Sequence, residues 1–392
     1  MKVLYTAAHG GFQGEHAPLG GGAAIFEMLS AEWAATKPFD LVRFTPQATT
    51  GHNIVNFDTA SYARFSRQFE AAATTAIQQH DPNDTVVLVN DIAEGPDCKA
   101  LRNYKIVTIW HVDVVAYIAA IYCRGLAAPE TLVKLHRIFG ALYPDVLQLI
   151  FQKQSDCVQH CAAHIVPSHA MKEIILRCYP QTDDSKIHVI PWGAPPAVPP
   201  IDKQKARNLL QSPDDALVLI TLSRLSPEKN QQLLLDALAA WEREPGYPNI
   251  YAFLCGGAAY MHGKKHEELL RAKAAKLAKT KVIFPGHVHG ERKQQYLSAA
   301  DLYVFPSSHE SYGLTLMEAF QYGLPAITLD NAVMQPAFGA VATKATFLSK
   351  LRELAQSDLA AKGRAARVYA EQNPFTKAAS ALARILTAIQ SK

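Results

Sequence analysis

The sequence predicts an α/β protein built from two doubly wound parallel-sheet domains, and three observations carry that expectation. Short apolar runs that read as buried strands alternate with runs of helical period along nearly the whole chain, the pattern of parallel strands joined by crossover helices. At 392 residues the chain exceeds what one hydrophobic core usually organises. Its densest proline cluster, residues 191–200 (PWGAPPAVPP), lies mid-chain and reads as a stiff connector between two alternating halves.

Bulk properties exclude several classes. With 49% hydrophobic and 19% charged residues and no low-complexity segment, the composition is globular. A net charge of +4 is too small to argue for nucleic acid or a strongly anionic surface. The lysine-rich run 264–281 reads as a solvated helix face, with a peripheral membrane contact as the lesser alternative. The first residues, MKVLYTAA, enter an apolar strand directly, without the charged and long apolar regions of a signal peptide. The apolar stretch 112–122 is interrupted by Asp113 and too short to span a bilayer. Six scattered cysteines do not form a disulfide framework, so a soluble protein of the reducing cytoplasm is expected.

In the first half, strands are expected at residues 2–7, 41–44, 85–89, 105–110, 164–167 and 187–190. The first is followed by a glycine-rich loop, residues 9–22 (HGGFQGEHAPLGGG), and a helix over 23–35. Glycines at the mouth of a strand-to-helix turn let the backbone approach a ligand, or serve only a tight turn. They do not form the dinucleotide fingerprint in register, so NAD is not expected. The strand at 105–110 ends at His111, and strand carboxyl ends line the ligand crevice of an open α/β sheet; a lone histidine is also often structural. Residues 117–161 read as mostly helical. Near their end, Cys157, His160, Cys161 and His164 would share one face of a continuous helix and suit zinc. Ligands from consecutive turns of one helix do not readily enclose a tetrahedral ion, and Ala162 and Ala163 read as a turn, so no metal is expected there.

The second half restarts the alternation, with helices at 203–210, 229–241, 264–278 and 291–299 and strands at 216–222, 249–255, 281–285 and 302–305. After the first of these strands comes SRLSPEKN, residues 223–230, where Ser226 as N-cap and Pro227 as first helical residue specify a helix start. That places Lys229 in the first turn, where a cation opposes the helix dipole, with Arg224 just before it. Two cations at a helix N-terminus make physical sense if an anion such as a diphosphate lies between them.

The strand at 302–305 leads into YVFPSSHESYGLTLMEAFQYGLP, residues 303–325, a strand, a loop and a helix. The loop carries Glu310 and the helix Glu318, with Gly313, Leu314 and Thr315 between. Their N–H groups would face outward from a helix N-terminus, a phosphate-binding arrangement. The same residues also read as an ordinary capping box, with Thr315 as N-cap and Glu318 bonded back to it, followed by the helix-stop signals Gly323 and Pro325.

Together, SRLSPEKN and HESYGLTLMEAFQYGLP resemble the donor domain of family 4 (group 1) glycosyltransferases, retaining enzymes of the GT-B fold, with Glu310 and Glu318 at that family's E-x7-E spacing. Weaker matches run in the expected order: Gly20 to Gly22, His111, AAHIVPSHA from Ala162, IHVIPWG from Ile187, LCGG from Leu254, FPGHV from Phe284 and FTKAASALARIL from Phe375. The resemblance implies two Rossmann-like domains facing across a cleft: residues 1–193 on the acceptor side, a linker over 194–203, a nucleotide-sugar donor domain over 204–374 and a helix over 375–392 crossing back to the first domain.

It further implies that Arg224 and Lys229 hold the diphosphate, that Gly313, Leu314 and Thr315 add backbone amides, and that Glu318 accepts from the ribose. Glu310 would face the donor sugar, while His111 and Gly20, Gly21 and Gly22 would close from the other domain. The implied reaction is front-face transfer, with retention, from a nucleotide-diphosphate sugar, UDP-sugar before GDP-sugar on family prevalence. The acceptor is a glycan, a lipid-linked sugar or a small molecule. No D-x-D motif is present, so neither a metal nor another cofactor is expected. A nucleotide-sugar epimerase or hydrolase on the same fold, or a non-catalytic sugar-nucleotide-binding protein, are the alternatives. Trp192 stands where the family has asparagine or proline, and the segment 331–343 is shorter than the family's glycine-rich stretch.

Overall fold

The structure, a computed structural model, describes residues 1–11, 20–46, 58–121, 127–258, 263–329 and 335–391. Residues 12–19 of the glycine-rich loop and residues 331–334 of the shortened segment lie outside the described residues. The chain divides into two compact units, one of Met1–Trp192 with Thr376–Lys392 and one of Gly193–Phe375.

The first unit comprises β1 (Lys2–Thr6), α1 (Gly21–Thr36), β2 (Asp40–Phe44), α2 (Thr59–Gln78), β3 (Thr85–Val89), β4 (Lys105–Ile109), α3 (Val114–Ile121), α4 (Pro129–Phe139), α5 (Asp145–His160), β5 (Ala163–Val166), α6 (His169–Cys178) and β6 (Ile187–Val189). Its six strands are ordered β2-β1-β3-β4-β5-β6 and every pairing is parallel. The central strand β3 is a continuous apolar run buried on both faces, as a helix-covered parallel sheet requires. Caps match local sequence: Asp58 accepts from the Ser61 amide at 2.7 Å to start α2, and Ser168 from the Met171 amide at 3.3 Å to start α6. The long helical stretch breaks into α3, α4 and α5, the last two starting at or just after Pro129 and Pro144, where a proline suits a helix start.

The second unit comprises α7 (Lys203–Leu210), β7 (Leu217–Leu222), α8 (Gln231–Trp241), β8 (Ile250–Cys255), α9 (Gly263–Ala274), β9 (Thr280–Gly286), α10 (Gly290–Ala299), β10 (Leu302–Phe305), α11 (Leu314–Gln321), β11 (Ala326–Thr328), β12 (Gly339–Val341), α12 (Phe347–Ala355) and α13 (Leu359–Gln372). Its sheet is also six-stranded and parallel, in the order β12-β11-β10-β7-β8-β9. The sequence predicts only four of these strands: β11 follows directly on Gly323 and Pro325, read as helix-stop signals, and β12 falls inside the segment 331–343, read as a shortened glycine-rich stretch.

The last helix, α14 (Phe375–Gln390), belongs with the first unit from Thr376 onward. There the indole Nε1 of Trp33 donates to the Ala379 carbonyl at 3.2 Å and the Lys105 ammonium to the Gln390 carbonyl at 2.7 Å. Among the described residues, no helix is long and apolar enough to cross a membrane.

In each sheet the chain steps outward from its first strand in one direction, then returns to that strand's other side. The reversal falls between β1 and β3 in the first unit and between β7 and β10 in the second. The carboxyl ends of strands at such a switch point are where open α/β sheets bind ligands.

Candidate active site

In the second unit, the turns leaving β7 and β10 are laced together. Asn230 Nδ2 donates to the Pro306 carbonyl at 3.2 Å, and the Ser308 amide and hydroxyl donate to the Glu228 carbonyl at 2.9 and 3.0 Å. Across this seam the Lys229 ammonium meets Glu310 Oε1 at 2.5 Å, both side chains largely buried. Arg224 reaches the buried Glu228 carboxylate, Nη2 to Oε1 3.6 Å, and the Ser226 hydroxyl donates to the same oxygen at 2.7 Å. Sequence reasoning missed Glu228. Its signal was the i,i+4 spacing from Arg224, which holds here although the segment is not a continuous α-helix.

The expected helix start at Ser226 is corrected. Residues Pro227–Lys229 form a single 3-10 turn, Asn230 takes the left-handed conformation at φ 55°, and α8 begins only at Gln231. Ser226 makes no capping bond because its hydroxyl is turned to Glu228. Lys229 therefore lies ahead of the α-helix rather than inside its first turn, which frees its ammonium to cross to Glu310.

The capping-box alternative is also corrected. The N-cap of α11 is Gly313, left-handed at φ 103° and ψ 58°, and Thr315 is already inside the helix. The Thr315 hydroxyl accepts from the Tyr303 phenol at 2.8 Å, and the Glu318 carboxylate is engaged by the Lys293 ammonium, so neither serves as a cap. The amides of Gly313, Leu314 and Thr315 thus open the helix with no intrahelical acceptor, at the positive end of its dipole. One backbone approach is very close: a Cβ on Gly256, after β8, would lie 1.8 Å from the Ser223 carbonyl oxygen. Only glycine lets the two strand ends meet there.

In the first unit, a second polar cluster sits at the β1/β3 switch point. Asn90 Oδ1 accepts from the Tyr5 phenol at 2.7 Å and faces His111 Nε2 at 3.0 Å, while Asn90 Nδ2 donates to the Gly22 carbonyl at 3.2 Å. A Cβ on Gly22 would stand 3.0 Å from His111 Cδ2, so this glycine permits the helix start to touch the imidazole; one on Gly20 would meet nothing within 4 Å. Gly21 opens α1. The Trp192 indole lies 6.0 Å from the His111 ring between centroids.

Two carboxylates that the sequence reading did not single out complete the cluster. Asp91 Oδ2 accepts from the His9 amide at 3.3 Å, and Glu94 accepts from the Tyr62 phenol and lies 3.8 Å from His9 Nε2. Burial, with the nearby His9 charge, lowers His111 from its ordinary 6.5 to about 3, so its imidazole is neutral at physiological pH. Burial raises Asp91. It also pushes on Glu94, but hydrogen bonds from His9 and Tyr62 and the Lys153 charge outweigh it and hold that carboxyl below its usual value. The signal for both was the polar run NDIAEG directly after a fully apolar strand.

The four residues weighed for zinc do not share one continuous helix face, although the Cys157 and Cys161 sulfurs stay within 4.8 Å of each other. Cys161 caps the end of α5, His160 precedes it, and His164 is buried on β5 with Nδ1 2.8 Å from the Thr108 hydroxyl.

Residues 202–344 match the family model described as Glycosyl transferases group 1. A D-inositol 3-phosphate glycosyltransferase of Actinosynnema mirum is 34% identical over 149 residues, 37% of this chain and 36% of the relative. The alpha-monoglucosyldiacylglycerol synthase of Streptococcus pneumoniae is 27% identical over 192 residues, 45% of this chain and 40% of the relative. The chain thus spans well under half the length of these curated relatives. Among solved structures, Anabaena HepE in complex with UDP and glucose aligns with 99% of both chains at 17% identity and a TM-score of 0.67. The sucrose-phosphate synthase of Thermosynechococcus elongatus covers 100% of this chain and 99% of its own at 16% identity and a TM-score of 0.70. At such identities the likeness is one of fold, the GT-B arrangement of two Rossmann-like domains.

Proposed function

From a chain whose second domain belongs to the glycosyl transferases group 1 and whose fold is GT-B, we propose a retaining glycosyltransferase that uses a nucleotide-diphosphate sugar, UDP-sugar before GDP-sugar. The observation that carries this reading is the Lys229–Glu310 pair at the β7/β10 switch point, next to Arg224 and the open amides of α11. A diphosphate would compete for the Lys229 ammonium and draw it off Glu310. The released carboxylate would then accept hydrogen bonds from donor-sugar hydroxyls.

Breaking the sugar–phosphate bond leaves negative charge on the departing diphosphate. Arg224, Lys229 and the amides of Gly313, Leu314 and Thr315 would stabilise it in preorganised positions, which is why the reading needs no metal at the phosphate. Glu318 is assigned to the ribose hydroxyls, with Lys293 as the group it exchanges them for. In the first domain, neutral His111 can accept or donate a hydrogen bond but carries no cation, so it suits sugar hydroxyls rather than phosphate. The acceptor is a glycan, a lipid-linked sugar or a small molecule. Leaving-phosphate assistance on the front face accounts for retention without a carboxylate nucleophile, and Glu310 is not assigned that part. The relatives and neighbours named for UDP, glucose or glucosyl transfer support the donor class.

The test is a thermal-shift panel of UDP, GDP, ADP and their hexose conjugates, with and without Mg2+, on the wild type and Lys229→Ala. One base should raise the melting temperature, equally without Mg2+, and the shift should vanish in the variant. No shift with any nucleotide, or an unchanged one in Lys229→Ala, would overturn the diphosphate assignment.

A further inference from the structure

Outside both switch-point clusters, three thiols converge inside the first unit. Cys157 lies on α5, Cys161 caps that helix, and Cys98 arrives from the segment after β3. Cys98 Sγ is 3.4 Å from Cys157 Sγ and 3.8 Å from Cys161 Sγ, and all three sulfurs lie within 4.8 Å of one another. Each residue is no more than 2% exposed. Zinc–thiolate bonds of about 2.3 Å put sulfurs of a tetrahedral site about 3.8 Å apart. The three sulfurs therefore already stand near the spacing such an ion imposes. Helix spacing supplies two of them, i and i+4 on one face, and the third comes from a different segment, which lets the set surround a point instead of lining a helix.

A buried cation stands beside the cluster. The buried Lys153, one turn before Cys157, donates to the Gly95 carbonyl and pairs with Glu70 at 2.9 Å. On one side Cys98 lines an open pocket with Asp97, Lys153 and Asp156.

We propose that Cys98, Cys157 and Cys161 form a trithiolate site for a thiophilic divalent cation, Zn2+ in the first instance. Its place in the fold gives it a structural task. The segment from Asn90 to Cys98 carries Asn90, Asp91 and Glu94, and an ion at Cys98 would fasten the far end of that segment to α5, beside the Lys153–Gly95 bond. Hard, oxygen-seeking Mg2+ would not bind three thiolates, so this site is separate from any question of a metal at the phosphate.

The experiment is titration of the reduced, metal-free full chain with Co2+ under anaerobic conditions, followed by absorbance. One equivalent should produce near-ultraviolet sulfur-to-cobalt charge-transfer bands, displaced by Zn2+. The bands should be lost in Cys157→Ser and in Cys98→Ser, and kept in Cys178→Ser. In parallel, Zn2+ should raise the melting temperature of the wild type and leave that of Cys98→Ser unchanged. Circular dichroism identifies any variant that does not fold, and the remaining one then decides. Absence of charge-transfer bands in the folded wild type, or their survival in a folded Cys98→Ser or Cys157→Ser, would overturn the site and reduce the cluster to core packing.

Discussion

Glu318 shows how a single residue separates structural from functional chemistry. A glutamate in a capping box bonds back to the N-cap amide and satisfies one of the helix's open donors, so its loss would lower the melting temperature. Here α11 is capped by Gly313, and the Glu318 carboxylate is held by Lys293. Glu318→Gln should therefore leave ligand-free thermal stability nearly unchanged and raise the donor KM, read from melts and initial rates on the same preparation. A clear loss of stability with an unchanged KM would return the residue to a structural part. His111 makes the complementary point through pH. Its pKa is 6.5 when exposed and about 3 in the fold, so between those values the unfolded chain binds a proton that the native chain refuses. Stability must then fall as pH drops through that window and be fully restored above it. His111→Asn should make the acid slope shallower in urea unfolding from about pH 7 to about pH 5. Some slope should persist because His164, lowered by burial to about 4, titrates with the same sign.

At the scale of elements, what the sequence disclosed followed from length and period. All six strands of the first unit were legible as mainly apolar runs, the three-residue β6 among them, whereas β11 was hidden directly behind the helix-stop signals Gly323 and Pro325 and β12 inside the segment 331–343. Residues 303–325 announced a strand, a loop and a helix correctly, yet not that a glycine would be the N-cap, because a left-handed cap is a backbone state that T-x-x-E conceals. Likewise Asn230 broke the expected helix at SPEKN by taking a left-handed turn that asparagine tolerates better than most residues. Asp91 and Glu94 were passed over for another reason: the polar run NDIAEG marks the segment, but their significance arises from meeting His9 after β1 and Tyr62 on α2, which a local pattern does not encode. The glycine after β8 carries the corresponding prediction. Gly256→Ala must push the Ser223 carbonyl away and with it the backbone that leads into Arg224. Overpacking of this kind costs about 1–3 kcal/mol, and urea unfolding should show it together with weaker nucleotide binding by calorimetry. Retention of both would mean that the two strand ends separate without disturbing the turn.

At the scale of the molecule, the two compact units assign different consequences to the chain's last helix and to nucleotide. From Thr376 onward α14 belongs to the first unit, where Leu382 and Leu386 are fully buried and Ala379 accepts from the Trp33 indole. Each buried leucine is worth about 1.5–3 kcal/mol, so removing residues 376–391 should cost the first unit several kcal/mol. The proposed nucleotide site draws all its residues from the second unit, so UDP should stabilise that unit instead. At a hundredfold excess over Kd the gain is about 2.7 kcal/mol, and each kcal/mol moves the melting temperature of a domain this size by about 2–4 °C. Differential scanning calorimetry should then resolve two transitions, one raised by UDP and the other lowered by the truncation. If UDP raised the transition that the truncation lowers, the nucleotide would belong to the first unit and the roles of Arg224, Lys229 and Glu310 would have to be reassigned.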